Sequence, residues 1–208
     1  MAPPETFVLA SASPRRRDLL VQIGRDPDLI LPPDIDETPR LRETPVAYAG
    51  RMAREKAELI AARDEVRSES RGAFVLGADT VVACGRRILP KGDDAQTARA
   101  CLALLSGRRH RVLGAVAVVT PDGKTHERLV STAVSFKRLE ACEIDRYIAS
   151  GEWEGKAGAY AIQGLASIFV KALNGSYSNV VGLPLFEVNA LLDGLGCYVP
   201  ETRFKKEE

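Results

Sequence analysis

Asp79 stands where a carboxylate is costly, in Phe74-Val75-Leu76-Gly77-Ala78-Asp79-Thr80-Val81-Val82, with apolar runs on both sides. So flanked, it needs a cation, hydrogen bonds or a metal, unless it belongs to a loop making a local turn. Gly77 permits a bulge or a close backbone approach two residues earlier. Two lysines are also out of place. Lys56 falls within the apolar stripe Ala49, Met52, Ala53 and Ile60, where it reaches an acid or a phosphate, or snorkels to water. Lys91 sits at the corner Pro90-Lys91-Gly92. Ser13-Pro14-Arg15-Arg16 follows the apolar run Phe7-Val8-Leu9-Ala10 and precedes the helically spaced Leu19, Leu20 and Ile23. Ser13 suits an N-cap and Pro14 a first helical position. Arg15 and Arg16 then meet the positive end of the helix dipole, which favours an anion between them unless the stretch is a solvated basic loop. Glu37 lies in Pro32-Pro33-Asp34-Ile35-Asp36-Glu37-Thr38-Pro39, a proline-stiffened acidic loop that either holds a divalent cation or is simply solvated.

The elements that must position these groups alternate between strand and helix. Leu29–Leu31 reads as a short strand. Thr44 and Pro45 open a helix to about Ala62. Residues 73–84 read as a buried strand interrupted by Gly77-Ala78-Asp79-Thr80, followed by a turn at Gly85-Arg86. Asp93 or Asp94 caps a helix through Leu105. Val112–Thr120 is a strand covered on both faces, and Pro121–Lys124 turns it into a return strand, Leu129–Phe136. A helix spans about Ala141–Ser150, ended by Gly151. Lys156–Gly164 is rich in small residues and holds a lone amide, Gln163. Phe169-Val170 reads as strand, Asn174–Tyr177 as a turn, and Pro184 starts a last helix with Leu185, Val188, Leu191 and Leu192 inward. With one hairpin among alternating elements, the fold class is α/β with a mixed twisted sheet and flanking helices.

Composition narrows the function classes. The 208 residues are 45% hydrophobic and 27% charged, which suits one domain spanning 1–208 with an ample core. A net charge of +1, without interleaved aromatic and basic residues, argues against nucleic acid as a partner. No apolar run reaches membrane-spanning length, and Met1–Glu5 has no leader pattern. The polar tail Arg203–Glu208 is expected to fray. Cys84, Cys101, Cys142 and Cys197 are scattered without metal or redox spacing, which suits reduced thiols in the cytoplasm. His110 and His126 make no zinc motif. Gly123-Lys124-Thr125 lacks the earlier glycine of a phosphate-binding loop, since Val118 stands there.

Leu9-Ala10-Ser11-Ala12-Ser13-Pro14-Arg15-Arg16 resembles the signature of the Maf family of nucleotide pyrophosphatases. Five further blocks match in the same order: Arg54–Ala57, Gly77–Thr80, Lys156–Tyr160, Ile162–Gly164 and Val181–Leu185. The resemblance implies an inosine-triphosphatase-like fold with two lobes around a cleft. It implies hydrolysis of nucleoside triphosphates to monophosphate and pyrophosphate with a divalent cation, Mg²⁺ or Mn²⁺, and suggests a homodimer. Carried over, Asp79 resembles the proton acceptor, and Glu37 a metal ligand or water positioner beside it. Lys56 and Lys91 would neutralise the polyphosphate, and Ser13, Arg15 and Arg16 would hold phosphates. Arg15, Thr80 and Gln163 resemble the dTTP and UTP branch rather than the 7-methyl-GTP branch, which implies dTTP and UTP as substrates and suggests modified pyrimidine nucleotides beside them. An amide complements the N3–H and O4 of thymine or uracil, although it also suits adenine. A broad-specificity enzyme and a nucleotide-binding regulator of cell division are the competing readings. Gly92 departs from the proline common after the family lysine, which suggests a looser corner at Lys91.

Overall fold

The structure is a computed structural model that describes residues 6–69 and 72–197. The leader and tail expectations, at Met1–Glu5 and Arg203–Glu208, lie outside these residues. In chain order the elements are β1 (Thr6–Ala10), α1 (Pro14–Gln22), β2 (Leu29–Ile30), α2 (Pro45–Ala61), α3 (Asp64–Arg67), β3 (Ala73–Cys84), β4 (Arg87–Leu89) and α4 (Ala95–Leu105). Then come β5 (Arg109–Val119), β6 (Thr125–Phe136), α5 (Ala141–Ser150), a 3-10 helix (Leu165–Phe169), β7 (Val170–Asn174), α6 (Tyr177–Val181) and α7 (Leu185–Gly194).

The strands form one mixed sheet in the order β2-β1-β3-β5-β6-β7, with β4 paired to β3. β1 is parallel to β2 and β3, and the remaining pairs are antiparallel. Chemistry-bearing turns therefore gather beyond the C-terminal end of β1, beside the middle of the longer β3. Local signals place the helix starts: the Thr44 hydroxyl accepts from the Ala47 N–H at 3.2 Å, and Asp94 accepts from the Thr97 N–H at 2.7 Å. Gly151 ends α5 in the left-handed region at φ 72°.

Five expectations change. β3 is not interrupted: its register with β5 runs without a bulge from Val75↔Val119 to Ala83↔Arg111, with Asp79 opposite Ala115. β6 begins at Thr125, four residues before the apolar stretch, because ladder bonds to β5 hold its polar start. Phe169 closes the 3-10 helix, so β7 starts at Val170. Tyr177 opens a helix rather than completing a turn, because the Ser176 hydroxyl accepts from the Asn179 N–H at 3.2 Å. A second hairpin joins β3 to β4.

The core divides around the sheet. Phe7, Leu9, Leu76 and Val116 pack with Leu20 of α1 and Leu192 of α7. On the other face, Val8, Val75 and Leu113 pack against Ala53, Ala57 and Ile60 of α2. A third cluster, with Leu102, Phe136, Tyr147, Trp153 and Phe169, forms a second lobe under α4 and α5. No helix among the described residues is long and apolar enough to cross a membrane.

Candidate active site

Gly77 sets the geometry of the acidic centre. A Cβ there would stand 2.4 Å from the Ala53 carbonyl oxygen and 2.7 Å from the Ala57 nitrogen, so α2 rests directly on the β3 backbone. Side chains two apart on a strand share a face, so Asp79 points to the same side as this contact. Lys56, between Ala53 and Ala57, lands on Asp79, with Nζ donating to Oδ1 at 2.7 Å. The same Nζ meets Glu37 Oε1 at 2.7 Å, and Lys91 pairs with Glu37 Oε2. Lys56 therefore bridges two carboxylates, and Glu37 bridges two lysines. Lys56 is 5% exposed and Asp79 7%, which decides against both snorkelling and a loop turn. Within the acidic loop, Asp34 and Asp36 are exposed and Glu37 alone turns in. Burial by itself would raise the Glu37 carboxyl, but hydrogen bonds from Lys56 and Lys91 outweigh it and hold the group at about 2. The Tyr48 hydroxyl donates to the Glu37 backbone carbonyl at 2.7 Å and steadies the loop. Burial, then the Asp79 and Glu37 charges, push that phenol up to about 12.

The β1–α1 turn gives its two arginines different work. Arg16 donates to the Gly182 carbonyl at 3.1 Å, the Ser11 hydroxyl at 3.1 Å and the Thr80 hydroxyl at 3.3 Å. It ties this turn to β3 and to the α6–α7 link. Arg15 has no hydrogen bond or ion pair with any described residue, and its half-burial lowers its pKa. Ser13 is the N-cap by position, yet its hydroxyl makes no capping bond; its N–H donates to Ser11 Oγ at 3.1 Å.

Lys91 and Gln163 belong to one bonded assembly. The Gly92 N–H donates to the Lys156 carbonyl at 3.0 Å, Gly155 to Gly92 at 2.8 Å, and Gly158 to Pro90 at 3.0 Å. The corner is therefore not loose. A Cβ at Gly92 would lie 2.4 Å from the Trp153 carbonyl oxygen, and proline would remove a used N–H. Downstream, the Tyr147 hydroxyl accepts from the Ala161 N–H at 3.0 Å, and the Tyr160 hydroxyl bonds His110 Nε2 at 2.9 Å. These anchors bury Ala159–Ile162 and leave Gln163 exposed at the cleft with no hydrogen bond to a described residue.

One cleft of about 350 Å³ takes all nine sequence-derived residues in its lining: Ser13, Arg15, Arg16, Glu37, Lys56, Asp79, Thr80, Lys91 and Gln163. Ser11, Tyr160, Gly182 and Lys156 also line it, though none stood among the sequence candidates. Lys156 and Tyr160 fell in a matching block, but a lysine and a tyrosine in a small-residue loop carry no chemistry by themselves. The lining holds five cations against two carboxylates, an excess of three in a molecule of net charge +1. Such focusing favours a polyanion.

The family model described as Maf-like protein matches residues 6–195. The chain belongs to the Maf family. A Rhodospirillum rubrum protein named dTTP/UTP pyrophosphatase is 62% identical over 190 residues, covering 91% of this chain and 88% of that one. A Caulobacter vibrioides protein of the same name is 57% identical over 196 residues, covering 94% and 98%. A solved HAM1 protein from Coxiella burnetii aligns with TM-score 0.53 at 16% identity, over 91% of this chain and 99% of that chain. It bears on the fold alone, which is the inosine-triphosphatase-like arrangement expected of a Maf chain.

The Maf cleft also suits a divalent cation. Lys56 already places one positive charge between the Glu37 and Asp79 oxygens. Two hard carboxylates fit Mg²⁺ or Mn²⁺, which take few protein ligands and complete their shell with phosphate oxygens and water. Among the described residues no cluster of three His, Cys, Asp or Glu side chains could hold a metal, so a substrate would have to supply the remaining ligands.

Proposed function

We propose that this chain hydrolyses dTTP and UTP to the nucleoside monophosphate and pyrophosphate, as a single Maf-like unit over residues 1–208. One observation carries the reading: the buried Asp79 shares its ammonium partner with Glu37 inside a cation-rich cleft. The names of the relatives supply the nucleotide class.

In this reading Asp79 accepts a proton from a water molecule that attacks the α-phosphorus. The bond from the α-phosphorus to the α,β-bridging oxygen breaks, and pyrophosphate leaves with the electron pair on that oxygen. Lys56 and Lys91 take up the charge that develops on the leaving group, as preorganised donors do. Ser13 and Arg15 hold phosphates at the start of α1, and Arg16 fixes the turn that presents them. Gln163 and Thr80 face the base, where the amide offers an acceptor to N3–H and a donor to O4. A divalent cation held by Glu37 and Asp79 would supply further neutralisation of the polyphosphate. The free state of the four cysteines accords with a cytoplasmic setting. The reading takes the triphosphate as the partner, leaves out nucleic acid and membrane, and is compatible with a homodimer.

Pyrophosphate release across a nucleotide panel with Mg²⁺ or Mn²⁺ tests this function. dTTP and UTP are expected to be the fastest substrates. Preference for 7-methyl-GTP would overturn the base assignment. Release from no triphosphate would favour a regulator over an enzyme.

A further inference from the structure

We propose that Lys156 is a further polyphosphate-binding residue, gripping together with Arg15 the anion that enters the cleft; this rests on the nucleotide reading above. Three of the five cleft cations are already paired within the protein. Lys56 meets two carboxylates, Lys91 meets Glu37, and Arg16 spends its guanidinium on three protein oxygens. Two cations remain. Arg15 has no polar partner among the described residues, and Lys156 donates only to the Glu154 backbone carbonyl, at 2.9 Å.

These two are placed against their own interest. Both are half-buried in the lining of the same cleft. Burial, and then the neighbouring Arg15 charge, lower the Lys156 pKa, while Glu154 and Glu152 draw it up less. Gathering like charges in a partly desolvated hollow is unfavourable until an anion enters between them. Lys156 is also firmly mounted. Its carbonyl accepts from Gly92, and Ala157 bridges to Lys91. The catalytic-side lysine and Lys156 are thus presented by one bonded ladder, while Arg15 approaches from α1. A polyphosphate spanning the cleft touches both.

The test measures binding of a non-hydrolysable α,β-imido analogue of dUTP by calorimetry, alongside steady-state kinetics with dTTP. Lys156→Ala and Lys156→Gln are expected to raise Kd and KM about tenfold, equivalent to about 1.4 kcal/mol. Their kcat should stay within about twofold, because this contact is made in ground and transition states alike. Lys156→Arg should return Kd to within about threefold of the parent value, and the salt dependence of Kd should flatten in the two neutral variants. A merely structural lysine would lower the thermal midpoint without moving that salt dependence. Parent-like Kd and salt dependence in both neutral variants would overturn the role of Lys156 while leaving the nucleotide reading intact. Absence of analogue binding and of turnover in the parent enzyme would remove both together.

Discussion

At the scale of single residues, the cleft separates groups that resemble each other in sequence. Arg15 and Arg16 are adjacent, yet Arg16 bonds three protein oxygens while Arg15 has no polar partner among the described residues. The distinction was not legible beforehand, because Ser11, Thr80 and Gly182 come together only through the fold. Lys56 and Asp79 were legible, since a charge inside an apolar pattern demands a partner. That they would be each other's partners, with Glu37 as a third, was not. The amide of Gln163 carries the base assignment. Gln163→Glu replaces the donor half of that amide by a second acceptor facing O4, so kcat/KM for dTTP and UTP is expected to fall at least about tenfold. The thermal midpoint should change little, because Gln163 is exposed and bonded to no described residue. Unchanged preference across the nucleotide panel would count against its base-reading role.

At the scale of elements, the site depends on how closely α2 approaches β3. Gly77→Ala would force a Cβ into the Ala53 carbonyl and the Ala57 nitrogen. The helix must shift, at a cost of about 1–3 kcal/mol in urea unfolding, and Lys56 is carried away from Asp79. Turnover is expected to drop more than nucleotide binding; a variant with parent stability and activity would show that the contact does not set the site. Most elements were readable from caps and apolar spacing: Thr44-Pro45, Asp94 and Gly151 mark α2, α4 and α5 where the structure puts them. The misses share a cause. β6 begins in polar residues because β5 pairs with them, and α6 has five residues, too few for a periodic pattern. Its hold is tertiary: the buried Asn179 amide donates to the Val112 carbonyl at 3.1 Å and to Thr132 Oγ1 at 3.0 Å.

Across the whole molecule, the cleft is lined by the acidic centre on α2 and β3 and by the loop that carries Gln163, whose Tyr160 and Ile162 pack into the second lobe. His110 lies under that loop, 1% exposed, and burial pushes its imidazole down to about 4. The unfolded chain binds a proton near pH 6.5 while the folded chain stays neutral, so stability falls as pH drops from about 6.5 toward about 4. By pH 5 the loss from this one group is about 2 kcal/mol, and His110→Gln should remove most of that slope between pH 7.5 and pH 5 in urea unfolding. A variant with the parent slope would assign it to other groups. The two-lobed α/β architecture was legible through a family resemblance spread over the chain, and four of the five cleft cations were legible as charges in unfavourable places, whereas Lys156 was not, because a lysine in a small-residue loop carries no signal by itself. The central claim is that Asp79, held by Lys56, takes the proton of the attacking water. Asp79→Asn keeps the shape and removes the base. With dTTP as substrate, pyrophosphate release should fall about a thousandfold or more while the Kd of a non-hydrolysable analogue stays within about fivefold; turnover near the parent rate would contradict the account.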